Sequence, residues 1–222
     1  MAVDAGSEPF VVLRSPSRPT DVEITVNGVA ASVETVRPLA EADVAIQTAI
    51  IIDNSVHTED LLDDFVDAAT DYVRRAPDNE EIAIYTTGGS GRVRLGFNLN
   101  RDRTVGALEG TVVSTEESML WDAVRGASLA LGADGQAGRS NLIVFAGSVD
   151  GGSTADAITA RGAAITAQAS AFAVAYDDPS VPLGSLARLA DATLGGAFAQ
   201  IGDVSLISAY GSSLSEVVGG TY

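Results

Sequence analysis

The stretch that most constrains the fold is Val44-Ala45-Ile46-Gln47-Thr48-Ala49-Ile50-Ile51-Ile52, which ends abruptly in Asp53-Asn54-Ser55-Val56-His57. A near-continuous apolar, β-branched run of this length suits a strand buried on both faces, the central strand of a parallel sheet. The next segment, Thr58 to Arg75, reads as a helix. Leu61, Leu62, Phe65, Val66, Ala69 and Val73 fall on one face and Asp60, Asp63, Asp64, Asp67 and Asp71 on the other, a solvated side rather than paired catalytic acids. Glu59 and Asp60 would face the positive end of its dipole and Arg74 and Arg75 the negative end. In open α/β sheets, ligands bind beyond the carboxyl ends of the strands. Asp53, Ser55 and His57 therefore stand where such a fold keeps its site.

The remaining chain repeats the rhythm. Strands are predicted at Ile82–Thr86, Leu142–Ala146, Ala171–Tyr176 and Ala197–Ile201. Helices are predicted at Arg101–Leu108, Glu116–Leu131, Thr154–Ala169, Leu183–Thr193 and Val204–Val218. Gly88-Gly89-Ser90-Gly91 reads as a turn, and the alternating Val93–Phe97 as an antiparallel edge strand. This order implies a doubly wound, mostly parallel six-stranded α/β sheet. Ahead of it, residues 1–8 read as a disordered leader. Residues 9–42 read as a small antiparallel β unit, with a strand at Phe10–Leu13 and a hairpin at Asn27-Gly28. The main domain is expected over 43–222. Aromatic residues are only 5% of the chain, so the core must come from Ala, Val, Leu and Ile.

Thirty acids face 13 bases, all arginine, for a formal charge of −17. Such a surface repels nucleic-acid phosphates and anionic lipid. The absence of Lys excludes a P-loop and a Schiff base. Gly88-Gly89-Ser90-Gly91-Arg92 sits in a hairpin context rather than between a strand and a helix, so it is no phosphate loop. There is no Cys and no Gly-x-Ser-x-Gly elbow. Met1–Pro9 lacks a basic region followed by an apolar one, and no apolar run approaches the ~18 residues that span a bilayer. The expectation is the soluble part of a longer protein, extracytoplasmic or at a cell surface, with a cytoplasmic place kept open.

Several strings, in order and spacing, resemble the von Willebrand factor type A domain from about Asp43 onward. They are Ile50–His57, Glu117-Ser118-Met119-Leu120-Trp121-Asp122-Ala123-Val124, Leu142–Gly147 and Leu186–Phe198. In that family an Asp-x-Ser-x-Ser loop, a Thr and a distant Asp form a metal-ion-dependent adhesion site. The resemblance puts Asp53 and Ser55 at matching positions and Ser118 at the Thr position. His57 stands in place of the second Ser and Ala146 in place of the distant Asp. Mg²⁺, Ca²⁺ and Mn²⁺ want oxygen ligands, and imidazole suits Mg²⁺ poorly. A degenerate site, weak or vacant, is thus implied, with Asp150 a candidate replacement for the missing carboxylate.

The function implied is a non-enzymatic protein-binding or assembly module of a bacterial surface, secretion or pilus-assembly system. It would meet its partner through the loops after Asp53, around Ser118 and at Ser148–Ser153. Two other readings stay open: a metal-assisted hydrolase using Asp53, His57 and Asp150, and a structural spacer without ligand. Asp53-Asn54-Ser55 also has the composition of a helix cap, His57 that of a surface residue, and Trp121 that of a core residue.

Overall fold

Strand β3, Ile46–Ile52, lies at the centre of the sheet with all seven residues buried. The computed structural model describes residues 22–26, 29–31, 45–89, 93–133, 138–193 and 196–219. The hairpin strands β1 (Ile24–Val26) and β2 (Val29–Ala31) pair antiparallel, with Val26 opposite Val29. The leader 1–8, the strand Phe10–Leu13, the turn Asn27-Gly28 itself and the joint before Ala45 lie outside the described residues.

After β3 come helix α1 (Leu62–Arg75), strands β4 (Glu80–Thr86) and β5 (Val93–Asn98), and helices α2 (Arg101–Glu109) and α3 (Leu120–Ala133). Strand β6 (Arg139–Ala146), helix α4 (Ala157–Thr166), strand β7 (Ala169–Tyr176), helix α5 (Leu183–Ala192), strand β8 (Ala197–Ile201) and helix α6 (Ser205–Gly219) complete the chain. The six main strands run in the order β5-β4-β3-β6-β7-β8. All neighbours are parallel except the edge strand β5, which runs antiparallel to β4. The expected doubly wound sheet with one antiparallel edge is what forms.

The period-two alternation along each strand divides the core into two layers. Ile50 and Ile52 of β3 join Phe65, Ile82, Phe145, Ile207 and Leu214 under α1, α2 and α6. Ala49 and Ile51 join Trp121, Leu131, Val144, Ala164 and Leu189 under α3, α4 and α5. One layer is rich in Ile and Phe and the other in Ala, which lets helices sit close to the sheet with few aromatic residues. Helix α6 packs tightly against α1 at Gly211, where a Cβ would fall 2.5 Å from the carbonyl oxygen of Ala68.

Three helices start later than their periodicity predicts. The first begins at Leu62 rather than Thr58, so the acids in its first turn are Asp63 and Asp64, not Glu59 and Asp60. It begins without any side-chain cap. The capping reading of Asp53-Asn54-Ser55 is therefore wrong. The third helix begins at Leu120 rather than Glu116, because Ser118 is drawn into bridges with Gly88 and Asp150. The fourth begins at Ala157, capped by Asp156, whose carboxylate accepts the N–H of Thr159 at 2.7 Å.

At the amino ends of the strands lies a buried polar cluster that the sequence did not flag. Glu80 Oε1 accepts the Tyr72 hydroxyl at 2.6 Å and also the Thr48 hydroxyl. Asn141 Nδ2 donates to Thr48 Oγ1 at 3.0 Å, and Arg139 Nε to Asn141 Oδ1 at 2.8 Å. Burial pushes the Glu80 carboxyl above its ordinary value, against the pull of those hydroxyls and of Arg101 and Arg139.

Candidate functional site

Asp53 follows directly on β3. Its N–H donates to the carbonyl of Phe145 on β6 at 3.0 Å, and the N–H of Thr87, just past β4, donates to the carbonyl of Ile52 at 3.1 Å. The three central strands thus end level, and their loops converge on one carboxylate. Oδ1 of Asp53 accepts the Thr87 hydroxyl at 2.7 Å and the N–H of Ser55 at 3.3 Å. Oδ2 accepts the Ser148 hydroxyl at 2.7 Å and the N–H of Gly147 at 3.1 Å. All of these groups are buried. Four donors satisfy one buried charge, as a desolvated carboxylate requires.

Ser148 is the pivot. Because its proton goes to Asp53, the 2.9 Å contact between its oxygen and Ser55 Oγ places the Ser55 hydroxyl as donor. Gly147 makes that reach possible. A Cβ there would lie 2.6 Å from Leu61 Cδ1 and 3.1 Å from Thr58 Cγ2, so a side chain would push the loop off the sheet. Thr58 fixes the loop from the other side, its hydroxyl reaching the carbonyls of Asp53 at 3.0 Å and Ser55 at 2.9 Å.

A second set of contacts ties in the segment before α3. Asn54 donates through Nδ2 to the carbonyl of Val112 at 2.9 Å and accepts the N–H of Gly88 at 2.8 Å. Its carbonyl takes the N–H of Ser114 at 2.7 Å, and the N–H of Val56 donates to the Glu116 carbonyl at 3.1 Å. Ser118 then bridges Gly88 on one side and Asp150 on the other, so its backbone crosses the rim over the end of β3. The Ser118 hydroxyl is buried and, among the described residues, has no hydrogen-bond partner.

Among the described residues Asp150, the candidate replacement for the missing carboxylate, shares no hydrogen-bond donor with Asp53. Its Oδ1 accepts the N–H of Leu120 at 2.9 Å and the Ser153 hydroxyl at 2.6 Å, which makes it the cap of α3. Burial pushes its carboxyl up, only partly offset by those hydrogen bonds. Asp122, in the first turn of α3, ties down the following loop through the N–H groups of Thr154 and Ala155 at 2.9 and 2.8 Å. Its slight burial raises its pKa, but those donors outweigh this and hold it below the ordinary carboxylate range. His57 is exposed and pairs with Glu117 at 3.2 Å. Asp53, His57 and Asp150 thus each have separate partners, and the geometry does not assemble them into one hydrolytic centre.

The donor set does not fit a tightly held divalent cation. Such a cation prefers charged oxygen ligands with free lone pairs. Here one carboxylate is present, and both of its oxygens already serve two donors. Ala146 is buried in the strand where a second carboxylate would stand. Among the described residues no group of three His, Cys, Asp or Glu comes together. The unpartnered hydroxyl of Ser118 is the one feature that favours a ligand.

Of the residues that shape this site, Asp53, Ser55 and Ser118 were legible in the sequence. Thr87, Ser148, Thr58 and Gly147 were missed. A hydroxyl one or two residues beyond each neighbouring strand was the available signal.

No protein-family model matches the chain, and no curated protein matches it. Solved structures do. A von Willebrand factor type A protein from Catenulispora acidiphila superposes with a TM-score of 0.66 at 16% identity, over 79% of this chain and 42% of that one. Proximal thread matrix protein 1 from the mussel byssus, with a zinc-occupied metal-ion-dependent adhesion site, gives 0.68 at 12% identity over 80% and 46%. The PilB minor pilin from Streptococcus sanguinis, as its D319A mutant, gives 0.62 at 10% identity over 81% and 62%. The chain thus spans less than two thirds of each of these proteins. With the strand order and the two helical layers already described, they establish that this chain has the fold of a von Willebrand factor type A domain.

Proposed function

We propose that this domain is a non-enzymatic protein-binding module that meets its partner through the loops at the carboxyl rim of the sheet. Its cation site, Asp53 with Ser55 and Ser118, is weak or vacant. One observation carries this reading. The Ser148 hydroxyl lies between Asp53 and Ser55 and satisfies both, and with the Thr87 hydroxyl on Asp53 these hydrogen bonds hold the loops after β3, β4 and β6 together where related sites use a metal.

The same loops present apolar side chains to solvent. Val56 is 41% exposed, Val112 70% and Val149 43%, on the loop after β3, the segment before α3 that Asn54 ties in, and the loop after β6. Apolar residues on rigidly tied loops, within an acidic surface, suit a protein partner better than a small polar substrate. The likeness to a minor pilin and to a byssus matrix protein supports a place in an extracytoplasmic assembly, here a bacterial surface, secretion or pilus system. Among the described residues no helix is long and apolar enough to cross a membrane.

Two measurements test the proposal. A photo-crosslinker placed at Val112 or Val149 in the native host is expected to capture a protein partner, and one at Leu129 on α3 is not. The reverse pattern would move the interface off the rim. Thermal unfolding is expected to be indifferent to millimolar Mg²⁺, Mn²⁺ or Ca²⁺. A cation present at a hundredfold excess over its Kd would stabilise the fold by about 2.7 kcal/mol, and a shift of that size would show the site to be occupied.

A further inference from the structure

Beside the Asp53 network a cleft of about 510 Å³ opens among the loops after β3, β6, β7 and β8. Gly147 belongs both to its wall and to the Asp53 network, so cleft and network share a border. Two carboxylates line it, Asp60 from the loop before α1 and Asp178 from the loop after β7. Asp178 Oδ1 accepts the hydroxyl and the N–H of Ser180 at 2.6 and 2.8 Å. Those bonds hold its carboxyl below the ordinary range, so it is an anion at neutral pH. Among the described residues no hydrogen bond or ion pair engages Asp60. Leu61, Val149 and Val204 supply apolar wall, and Tyr176 contributes a half-buried ring.

The one basic side chain in the lining, His57, is already paired with Glu117 at 3.2 Å. The chain has no lysine, and no arginine occurs in the described rim loops 53–61, 87–89, 111–119, 147–156, 177–182 and 202–204. The cleft therefore offers two acids, an aromatic ring and aliphatic wall to a single cationic group on an aliphatic stem. A guanidinium matches this set best, because its planar fork bridges carboxylates and stacks on a ring while its methylenes cover apolar surface. A lysine ammonium supplies charge without the stacking plane. A bare divalent cation would find only two carboxylates and no third ligand of that kind.

We propose that this cleft docks an arginine side chain of the partner protein. The inference rests on the binding-module reading above and names the chemistry of what that module recognises. It also reverses the charge logic of a metal-occupied adhesion site, where the cation receives an acidic group.

The test titrates the whole chain with short capped peptides that differ only in one residue, arginine, lysine, citrulline or glutamate, followed by amide chemical shifts. The arginine peptide is expected to bind with roughly millimolar affinity and to shift Val149, Tyr176 and Val204. Lysine should bind more weakly, and citrulline and glutamate not at all. The double variant Asp60→Asn/Asp178→Asn keeps the acceptor that holds Ser180. It should unfold at the parental temperature and bind the arginine peptide roughly three- to tenfold more weakly, with a shallower salt dependence. Equal binding of citrulline and arginine, shifts confined to another face, or parental affinity in the double variant would overturn the proposal. A partner captured at Val112 that binds the double variant undiminished removes the cleft and leaves the binding module standing. A partner captured only at Leu129 removes the module, and the peptide titration then judges the cleft by itself.

Discussion

Among the described residues the sheet buries one carboxylate at each of its ends, Asp53 and Glu80, and the two are treated differently. At the carboxyl rim, Asp53 is met by two hydroxyls and two backbone N–H groups, spread over both of its oxygens. At the opposite end, Glu80 receives two hydroxyls on one oxygen, with Arg101 and Arg139 near enough to stabilise its charge. Backbone N–H groups cannot turn away or accept a proton, so the Asp53 pocket is built for an anion. Hydroxyl rotors can serve a protonated carboxyl as well, and burial pushes Glu80 in that direction. The number and kind of fixed donors, more than burial itself, decides whether a buried acid is a structural anion or a costly one. Asp53 holds three loops in register. Glu80 fills a polar gap between α1 and the sheet.

The largest expected effect follows from removing the anion. Asp53→Ala leaves the Gly147 and Ser55 N–H groups and two hydroxyls buried without an acceptor. It should destabilise the fold by about 3–5 kcal/mol, read as a fall in the urea midpoint. Glu80→Gln is the counterpart. It keeps an acceptor for Tyr72 and removes a charge that burial disfavours, so it should stay within about 1 kcal/mol of the parent at neutral pH. The sign with pH is specific. The folded-state pKa of Glu80 is raised above the ordinary 4.5, so below that value both states are protonated and Glu80 costs nothing. As pH rises from 4.5 towards the raised folded value, the unfolded chain ionises first and the parent loses stability. Glu80→Gln should therefore gain on the parent across that window and hold the gain above it. A variant that loses ground with rising pH would show that the arginines overcome burial, and the contrast between the two ends would fail.

Much of this was legible in the chain. The buried run at Ile46–Ile52 fixed the central strand, because only a strand covered on both faces tolerates so continuous an apolar stretch. The glycine-rich string before Val93 and the alternation of Val93–Phe97 pointed to the antiparallel edge strand that β5 forms. Helix starts were less legible, since Thr58, Ser118 and Thr154 are spent on loop contacts that appear only when distant loops meet. The same limit hid Ser148 and Thr87. Each is an ordinary serine or threonine in sequence, and parallel register alone brings it to Asp53, from 95 and 34 residues away. Glu80 was hidden for a related reason. Next to Glu81 and after Asp78-Asn79 it resembles a solvated turn, and only pairing with Ile46, which continues from β3 into Arg139 of β6, puts it under Tyr72.

The smallest effect bears most directly on the comparison. Ser118 carries a buried hydroxyl that, unlike those of Ser148 and Thr87, is not spent on Asp53. An unpartnered buried hydroxyl costs free energy that alanine does not. Ser118→Ala should therefore leave the unfolding midpoint unchanged or raise it by up to about 1 kcal/mol in stability, the opposite sign to Asp53→Ala one loop away. Repeating both measurements in millimolar Mn²⁺ sharpens the reading. If the rim is closed by its own hydrogen bonds, parent and variant respond alike to the cation. If the cation stabilises the parent and not the variant, Ser118 is a ligand held in reserve. Asp53 would then share its four donors with a metal by releasing at least one of them, and Ser148, whose hydroxyl can rotate away while the Gly147 N–H cannot, is the donor that would yield.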